Sequence, residues 1–299
     1  MYDIVIIGAG PAGLTAALYA LRCGKSVLVL ESETFGGQIT LSPMVENYPG
    51  TGNLSGIEFA DALMQQVTDL GGDIELGTVL SVTDGETKKV ITEDEEYEAK
   101  SVIIASGVKH RTLGIPNEAE LIGSGVSYCA VCDGAFYKDK AVAVVGGGST
   151  ALTDALYLSV ICEKVYLIHR RDTFRGEDAL VKKVKDKENI ELVLNSQVTA
   201  LKGDNILNGI EVTDNAGNVS SLDTEALFIM IGQKPENEIF RNVADLDGYG
   251  FIITDESCKT KTDGIYAAGD CRVKNIRQLT TATSDGTVAA LAACEYIDR

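Results

Sequence analysis

The stretch IVIIGAGPAGLTAALYALRCGKSVLVLE, Ile4–Glu31, decides how the rest of the chain is read. Its apolar run Ile4–Ile7 reads as a buried strand, the segment Gly8–Gly13 as a tight turn, and the alanine-rich residues after it as a helix. A second apolar run, Val27–Leu30, closes on Glu31. In such a βαβ unit the first glycine, Gly8, makes the turn. Gly10 lets the backbone approach a pyrophosphate, and Gly13 lets helix and strand pack closely. The phosphates would rest on the helix N-terminus, and Glu31 would accept from ribose hydroxyls. Glycines also serve bare turns, but here the strand before, the helix after and the spaced carboxylate agree on a dinucleotide site.

The same pattern occurs again. Val142–His169 (VAVVGGGSTALTDALYLSVICEKVYLIH) superimposes on Ile4–Glu31 without a gap, down to the shared Ala17-Leu18-Tyr19 and Ala155-Leu156-Tyr157. The copies differ at the end of their second strand. Where the first has Glu31, the second has His169-Arg170-Arg171, with Arg175 shortly after. Guanidinium forks match a phosphate bidentately, so this end fits the 2′-phosphate of NADP; a solvated basic turn is the other reading.

Composition narrows the classes. A length of 299 residues suggests about two domains. Lys+Arg 26 against Asp+Glu 44, a net charge of −18, excludes most nucleic-acid readings and argues against an anionic membrane surface. Hydrophobic content of 45% excludes global disorder. Met1-Tyr2-Asp3 offers no basic start to a secretory signal, and no apolar run approaches a membrane span, so a cytoplasmic protein is expected. Seven cysteines, an odd count, suit a reducing compartment with one specialised pair.

That pair is Cys129-Ala130-Val131-Cys132, followed by Asp133. A C-x-x-C at a helix start can cycle between dithiol and disulfide, the dipole stabilising one thiolate. Zinc would need two further ligands, yet there is no second C-x-x-C and the two histidines, His110 and His169, are far apart; no metal is expected. Asp133 reads either as a proton shuttle or as a cap on its own turn. Cys23, Cys162 and Cys294 read as small hydrophobes, while Cys271 follows Gly269-Asp270 and invites attention. The segment Gly264–Asp270 reads as a short strand ending in a carboxylate suited to a polyol, or as a plain turn; Arg277-Gln278 then opens a helix.

These residues together resemble the low-molecular-weight, bacterial-type thioredoxin reductases, within the FAD- and NAD(P)-dependent pyridine nucleotide-disulfide oxidoreductases. The resemblance covers nearly the whole chain: GAGPAG at 8–13, Gly36-Gly37-Gln38, Glu46–Gly50, Ala105-Ser106-Gly107, Tyr128–Gly134, GGGSTA at 146–151, HRRDTFR at 169–175, Ala267–Asp270 and Arg277-Gln278. It implies FAD at Gly8, Gly10, Pro11, Ala12, Gly13, Glu31, Gly37, Gln38, Asn47, Ser106, Gly107, Asp270, Arg277 and Gln278. It implies NADPH at Gly146, Gly148, Ser149, Thr150, His169, Arg170, Arg171 and Arg175. Cys132 would face the flavin, Cys129 would attack the disulfide of a thioredoxin-like partner, and Asp133 would be the acid–base group of a homodimeric enzyme. Two positions depart from the family's usual pattern: Thr153-Asp154 replaces a pair of acidic residues, and Leu279 stands where a small residue is common.

The expected fold is α/β, with two doubly wound Rossmann-like nucleotide-binding domains, the second inserted into the first. Residues 1–111 with 242–299 would bind FAD, and 112–241 would bind NADPH and carry the C-x-x-C. The expected activity is NADPH-dependent thioredoxin-disulfide reduction, without nucleic-acid or membrane partners. Rival readings are a dithiol oxidase of similar fold, a ferredoxin- or NADH-linked disulfide reductase, and a nucleotide-binding sensor without catalysis. The basic cluster His169-Arg170-Arg171 argues for a pyridine nucleotide over ferredoxin.

Overall fold

The computed structural model describes residues 1–299, which divide into two compact units: Met1–Lys109 with Lys234–Arg299, and His110–Gln233. The chain is α/β throughout, and both units are built on parallel sheets.

In the first unit the strand Tyr2–Ile7 lies between Val27–Glu31 and Glu96–Ile104, parallel to both. Ile4 to Ile7 are all buried, as a strand covered on both faces requires. Asp73–Leu76 extends the sheet beyond Val27–Glu31, and Ile265–Ala267 returns from the far end of the chain to pair with Glu96–Ile104. The antiparallel strands Lys88–Thr92 and Val79–Thr83 complete the sheet.

The turn after the first strand is shaped by close backbone contact. Gly8 has φ +108°, and a Cβ there would fall 2.3 Å from the Ala105 carbonyl oxygen. A Cβ on Gly13 would fall 1.9 Å from the Gly8 carbonyl oxygen, so helix Pro11–Arg22 can meet the strand only because that position is glycine. The helix packs one face on the sheet and another on the C-terminal helix Leu279–Ile297. Ala12, Ala16 and Ala20 meet Gly286, Ala289 and Ala293 there; a Cβ on Gly286 would lie 2.2 Å from the Ala12 carbonyl oxygen. Small residues allow the two helices to approach closely and bury their alanine faces. The opposite face of the sheet is covered by Phe240, Val243 and Ile252 over Val5, Ile7, Leu28 and Val102.

The second unit has a five-stranded sheet in the order Ile190–Leu194, Lys164–His169, Ala141–Val145, Ala226–Ile229, Val126–Ser127. All its pairings are parallel. Helix Ser149–Ile161 buries Ala151, Leu152, Ala155 and Leu158 on one face. An antiparallel three-stranded sheet, Ser196–Lys202, Gly209–Asp214 and Val219–Leu222, covers the other through Val198, Ile210 and Val212.

The chain re-enters the first unit between Gln233 and Lys234, ahead of residue 242 where the sequence places the boundary. Asn237 is the reason. It is buried and donates from Nδ2 to the carbonyl oxygens of Gly250 at 2.9 Å and Cys271 at 2.8 Å, and Phe240 fills the core beside it.

Candidate functional site

The redox pair sits where a strand of the second unit hands over to a helix. Val126–Ser127 is followed by Tyr128, and Cys129 is the N-cap of the short helix Ala130–Asp133. Cys129 and Cys132 form a disulfide with Cα atoms 5.3 Å apart, and Cys129 Sγ accepts from the Cys132 N–H at 3.2 Å. One turn of helix thus holds the Cys129 sulfur against a helix N–H, a setting that favours a thiolate there.

Asp133 does not cap a turn. Its Oδ2 accepts from the buried Ser127 hydroxyl at 2.5 Å, while Oδ1 is buried with no hydrogen-bond partner. Burial raises the proton affinity of this carboxyl, and the Ser127 hydrogen bond opposes that rise. Ser127 escaped the sequence reading, although a serine in an apolar strand two residues before Cys129 was a usable signal. Tyr128 is braced as well: its hydroxyl donates to Glu118 Oε1 at 3.0 Å and its ring stacks on His110 at 4.6 Å. Burial pushes the His110 imidazole down to about 4, so it is neutral at physiological pH.

The second glycine-rich turn and the arginine segment are joined. Arg175 N–H and Gly176 N–H both donate to the Gly147 carbonyl oxygen, at 2.7 and 3.2 Å, and Glu177 N–H donates to Ser149 Oγ at 3.3 Å. Gly148 caps helix Ser149–Ile161 without a side chain, and a Cβ on it would meet nothing within 4 Å. The helix N-terminus, with Ser149 and Thr150 in its first turn, therefore faces open space beside the exposed residues Arg170, Arg171 and Arg175. His169 departs from the cationic cluster of the sequence reading. It is buried, its Nε2 lies 3.1 Å from the Thr173 carbonyl oxygen, and its ring stacks on Phe174 at 5.3 Å. Burial, with the three arginines adding to it, lowers its proton affinity. Asp154 is half-buried and is pushed up to about 6 by that burial, while Thr153 is exposed.

The first glycine-rich turn has the same open character. Gly10 caps helix Pro11–Arg22 without a side chain, and a Cβ on it would meet only the Gly36 carbonyl oxygen, at 4.0 Å. Glu31 Oε2 accepts from Ala9 N–H at 2.8 Å, and Oε1 accepts from Ser32 and Glu33 N–H at 2.9 and 3.0 Å, so the carboxylate is tied to the turn and to its own strand end. Gly36 N–H donates to the Ala9 carbonyl at 2.9 Å, which brings Gly37 over Gly10 with Gln38 following. Asn47 Nδ2 reaches Gln278 Oε1 at 3.4 Å, and Gln278 caps the C-terminal helix with Thr281. Ser106 Oγ donates to Asn237 Oδ1 at 3.0 Å, next to Gly107.

Asp270 lies on the turn after Ile265–Ala267, its Oδ1 buried with no partner. Burial raises its proton affinity, opposed by Lys274 and Arg277. The Arg277 guanidinium donates to the carbonyl oxygens of Asp270 and Arg272 at 3.2 and 3.3 Å and stacks over Phe251 at 4.1 Å. The turn is anchored by a residue the sequence did not single out. Asp285 accepts from Arg272 at 2.7 and 2.8 Å, from Lys274 at 2.8 Å and from Gly269 N–H at 3.1 Å. Burial alone would raise its carboxyl, but the two cations hold it below its ordinary value.

Cys271 is not a reactive thiol. It is buried, lies 3.2 Å from the Ala268 carbonyl oxygen, and is pushed up to about 11 by burial. Cys23 also differs from its reading as an inert hydrophobe: it ends helix Pro11–Arg22 and is exposed. No helix is long and apolar enough to cross a membrane.

Two nucleotide-type turns, one C-x-x-C disulfide and a half-buried carboxylate beside it define a flavin- and pyridine-nucleotide-linked disulfide oxidoreductase. The chain belongs to the pyridine nucleotide-disulphide oxidoreductase family, whose match covers residues 2–286. It is similar over 100% of its length to the thioredoxin reductase of Bacillus subtilis, with 40% identity and 95% of that protein covered. It is 41% identical to the thioredoxin reductase of Treponema pallidum, over 99% of this chain and 97% of that protein. The crystal structure of thioredoxin reductase from Streptococcus pyogenes superimposes with a TM-score of 0.96 at 39% identity, covering 100% of this chain and 98% of that one.

The residues present fit both cofactors. Uncapped helix N-termini with vacant approaches at Gly10 and Gly148 suit pyrophosphates. The unpartnered Asp270 Oδ1 suits a hydroxyl donor such as a ribityl chain, and the exposed arginines suit a 2′-phosphate.

Proposed function

We propose that this chain is a thioredoxin-disulfide reductase whose exchanging group is Cys129. The observation that carries the reading is the Cys129–Cys132 disulfide at a helix start beside Asp133, a half-buried carboxyl with one buried oxygen unpartnered.

FAD is held by the first unit through Gly8, Gly10, Pro11, Ala12, Gly13, Glu31, Gly37, Gln38, Asn47, Ser106, Gly107, Asp270, Arg277 and Gln278. NADPH is held by the second unit through Gly146, Gly148, Ser149, Thr150, Arg170, Arg171 and Arg175, with His169 shaping the arginine loop. When bound, the two would supply the electron pair needed to open the Cys129–Cys132 bond.

The chain's own residues do the rest. The Cys129 thiol gives its proton to Asp133, and the resulting thiolate attacks one sulfur of the partner disulfide. The other partner sulfur leaves with the bonding electrons and takes up a proton. Cys132 then loses its thiol proton and attacks Cys129 in the mixed disulfide, restoring the Cys129–Cys132 bond; the second partner sulfur leaves with the bonding electrons and takes up that proton, which completes the partner dithiol. The Cys132 N–H, which donates to Cys129 Sγ, favours the thiolate.

The partner is a thioredoxin-like protein, and the enzyme works as a homodimer in the cytoplasm. Five unbridged cysteines suit a reducing compartment, and a net charge of −18 disfavours nucleic acid and anionic membranes. The test is reduction of a purified thioredoxin by NADPH, followed as nicotinamide oxidation, in the parent and in Cys129→Ser and Cys132→Ser. Turnover confined to the parent supports the reading; a Cys129→Ser protein as active as the parent overturns it.

A further inference from the structure

We propose that Ser127 is a positioning residue for proton traffic at the redox pair, its hydroxyl turning between the Asp133 carboxyl and the Cys129 carbonyl as Asp133 gains and loses a proton. The inference rests on the reading of Asp133 as the acid–base group of the exchange.

Ser127 Oγ is buried with three polar neighbours: Asp133 Oδ2 at 2.5 Å, Cys129 N–H at 3.1 Å and the Cys129 carbonyl oxygen at 3.4 Å. A hydroxyl has one hydrogen and two lone pairs. The Cys129 N–H takes one lone pair in every state. When Asp133 is ionised, the Ser127 hydrogen goes to Oδ2, a short charge-assisted bond. When Asp133 carries its proton on Oδ2, that proton meets the second lone pair, and the Ser127 hydrogen turns to the Cys129 carbonyl. Both protonation states are therefore satisfied without moving a backbone atom, and the hydroxyl ties them to the backbone of the attacking cysteine.

The surroundings leave this task to Ser127. The titratable groups on the elements packed around Asp133 are Cys129 and Cys132 on its own helix, Tyr137 on the following turn, and Asp154 and Tyr157 on helix Ser149–Ile161. None is a cation. Ser127 is the one group acting to keep Asp133 ionised against burial. During exchange the S–H bond of Cys129 breaks, the sulfur keeps the electron pair and the proton passes to Asp133; the reverse transfer serves the leaving thiolate. Without Ser127, Asp133 would hold its proton to higher pH, and at a given pH less of it would be ionised and free to take the Cys129 proton.

The experiment titrates the Asp133 carboxyl by carbon NMR in the oxidised protein, where neither Cys129 nor Cys132 ionises, with Asp133→Asn giving the assignment. Ser127→Ala should raise the midpoint by about one pH unit, the scale of one charge-assisted hydrogen bond. Ser127→Thr, which keeps the hydroxyl, should stay at the parent value. A second readout is exchange between the reduced protein and bis(2-hydroxyethyl) disulfide across pH; its acid limb should move up in Ser127→Ala by the same amount. An unmoved Asp133 midpoint in Ser127→Ala overturns the inference, as does a threonine variant displaced as far as the alanine one. An exchange profile unchanged in Asp133→Asn overturns instead the acid–base reading beneath it.

Discussion

The imidazole of His169 is packed directly onto Gly147: a Cβ on Gly147 would fall 2.1 Å from its Cε1 atom. Two elements that the sequence assigns separately to the same cofactor, the glycine-rich turn and the strand-end cluster, are thereby one structure.

The ring cannot give way, because Thr173 and Phe174 hold it on its other sides. Gly147→Ala should therefore cost about 1–3 kcal/mol of stability in the second unit, the usual scale of overpacking. It should also displace the arginine segment that hangs from the Gly147 carbonyl and weaken NADPH binding. Denaturant unfolding and NADPH titration measure the two effects.

Arg170→Ala combined with Arg171→Ala should raise the KM for NADPH by about tenfold or more, the scale of losing a hydrogen bond between charged groups. The KM for NADH should change little, since NADH has no 2′-phosphate. An unchanged ratio of the two would place the phosphate elsewhere.

Asp285 leaves two predictions. Arg272, Lys274 and Asp285 keep only 16%, 9% and 10% of their side-chain exposure, so Asp285→Ala strands two buried cations and should cost about 3–5 kcal/mol. FAD retention should fall with it, because the Gly269–Asp270 turn loses its anchor. The sign of the pH effect follows from a folded-state carboxyl held below its ordinary value of 3.8. Its contribution is complete above that value and is lost as pH falls through the folded one. The parent should lose more stability than Asp285→Asn as pH falls below 3.8, measured by urea unfolding at each pH.

Thiol accessibility provides a direct test of the cysteine assignments. Of the five unbridged cysteines only Cys23 is exposed. Burial pushes Cys162 and Cys271 up to about 11, and Cys258 and Cys294 up to about 12. Brief iodoacetamide treatment of the native oxidised protein should give one adduct, at Cys23, by peptide mass spectrometry. Adducts at Cys129 and Cys132 should appear only after reduction.

Much of this molecule is legible from residues close together in the chain. The paired strand–turn–helix units, the uncapped helix starts at Gly10 and Gly148 and the C-x-x-C at a helix start all depend on a few neighbouring residues. Backbone sterics and apolar periodicity leave such segments little choice of conformation. Other features depend on partners distant in sequence. Asp285 reads as one more polar residue of a helix until packing against the sheet brings it to Arg272, Lys274 and Gly269. Asn237 gains its meaning only from Gly250 and Cys271, and it places the boundary at 233/234. His169 passed for a cation until burial against Gly147 lowered its proton affinity and made it a support, and Cys23 passed for core until the helix end left it in solvent. The sequence by itself determined the two nucleotide turns and the redox pair, because short-range geometry suffices for them. Tertiary structure alone decided which buried charges are paired, which thiols are reachable and what anchors each turn, because burial and long-range contact are properties of the packed chain.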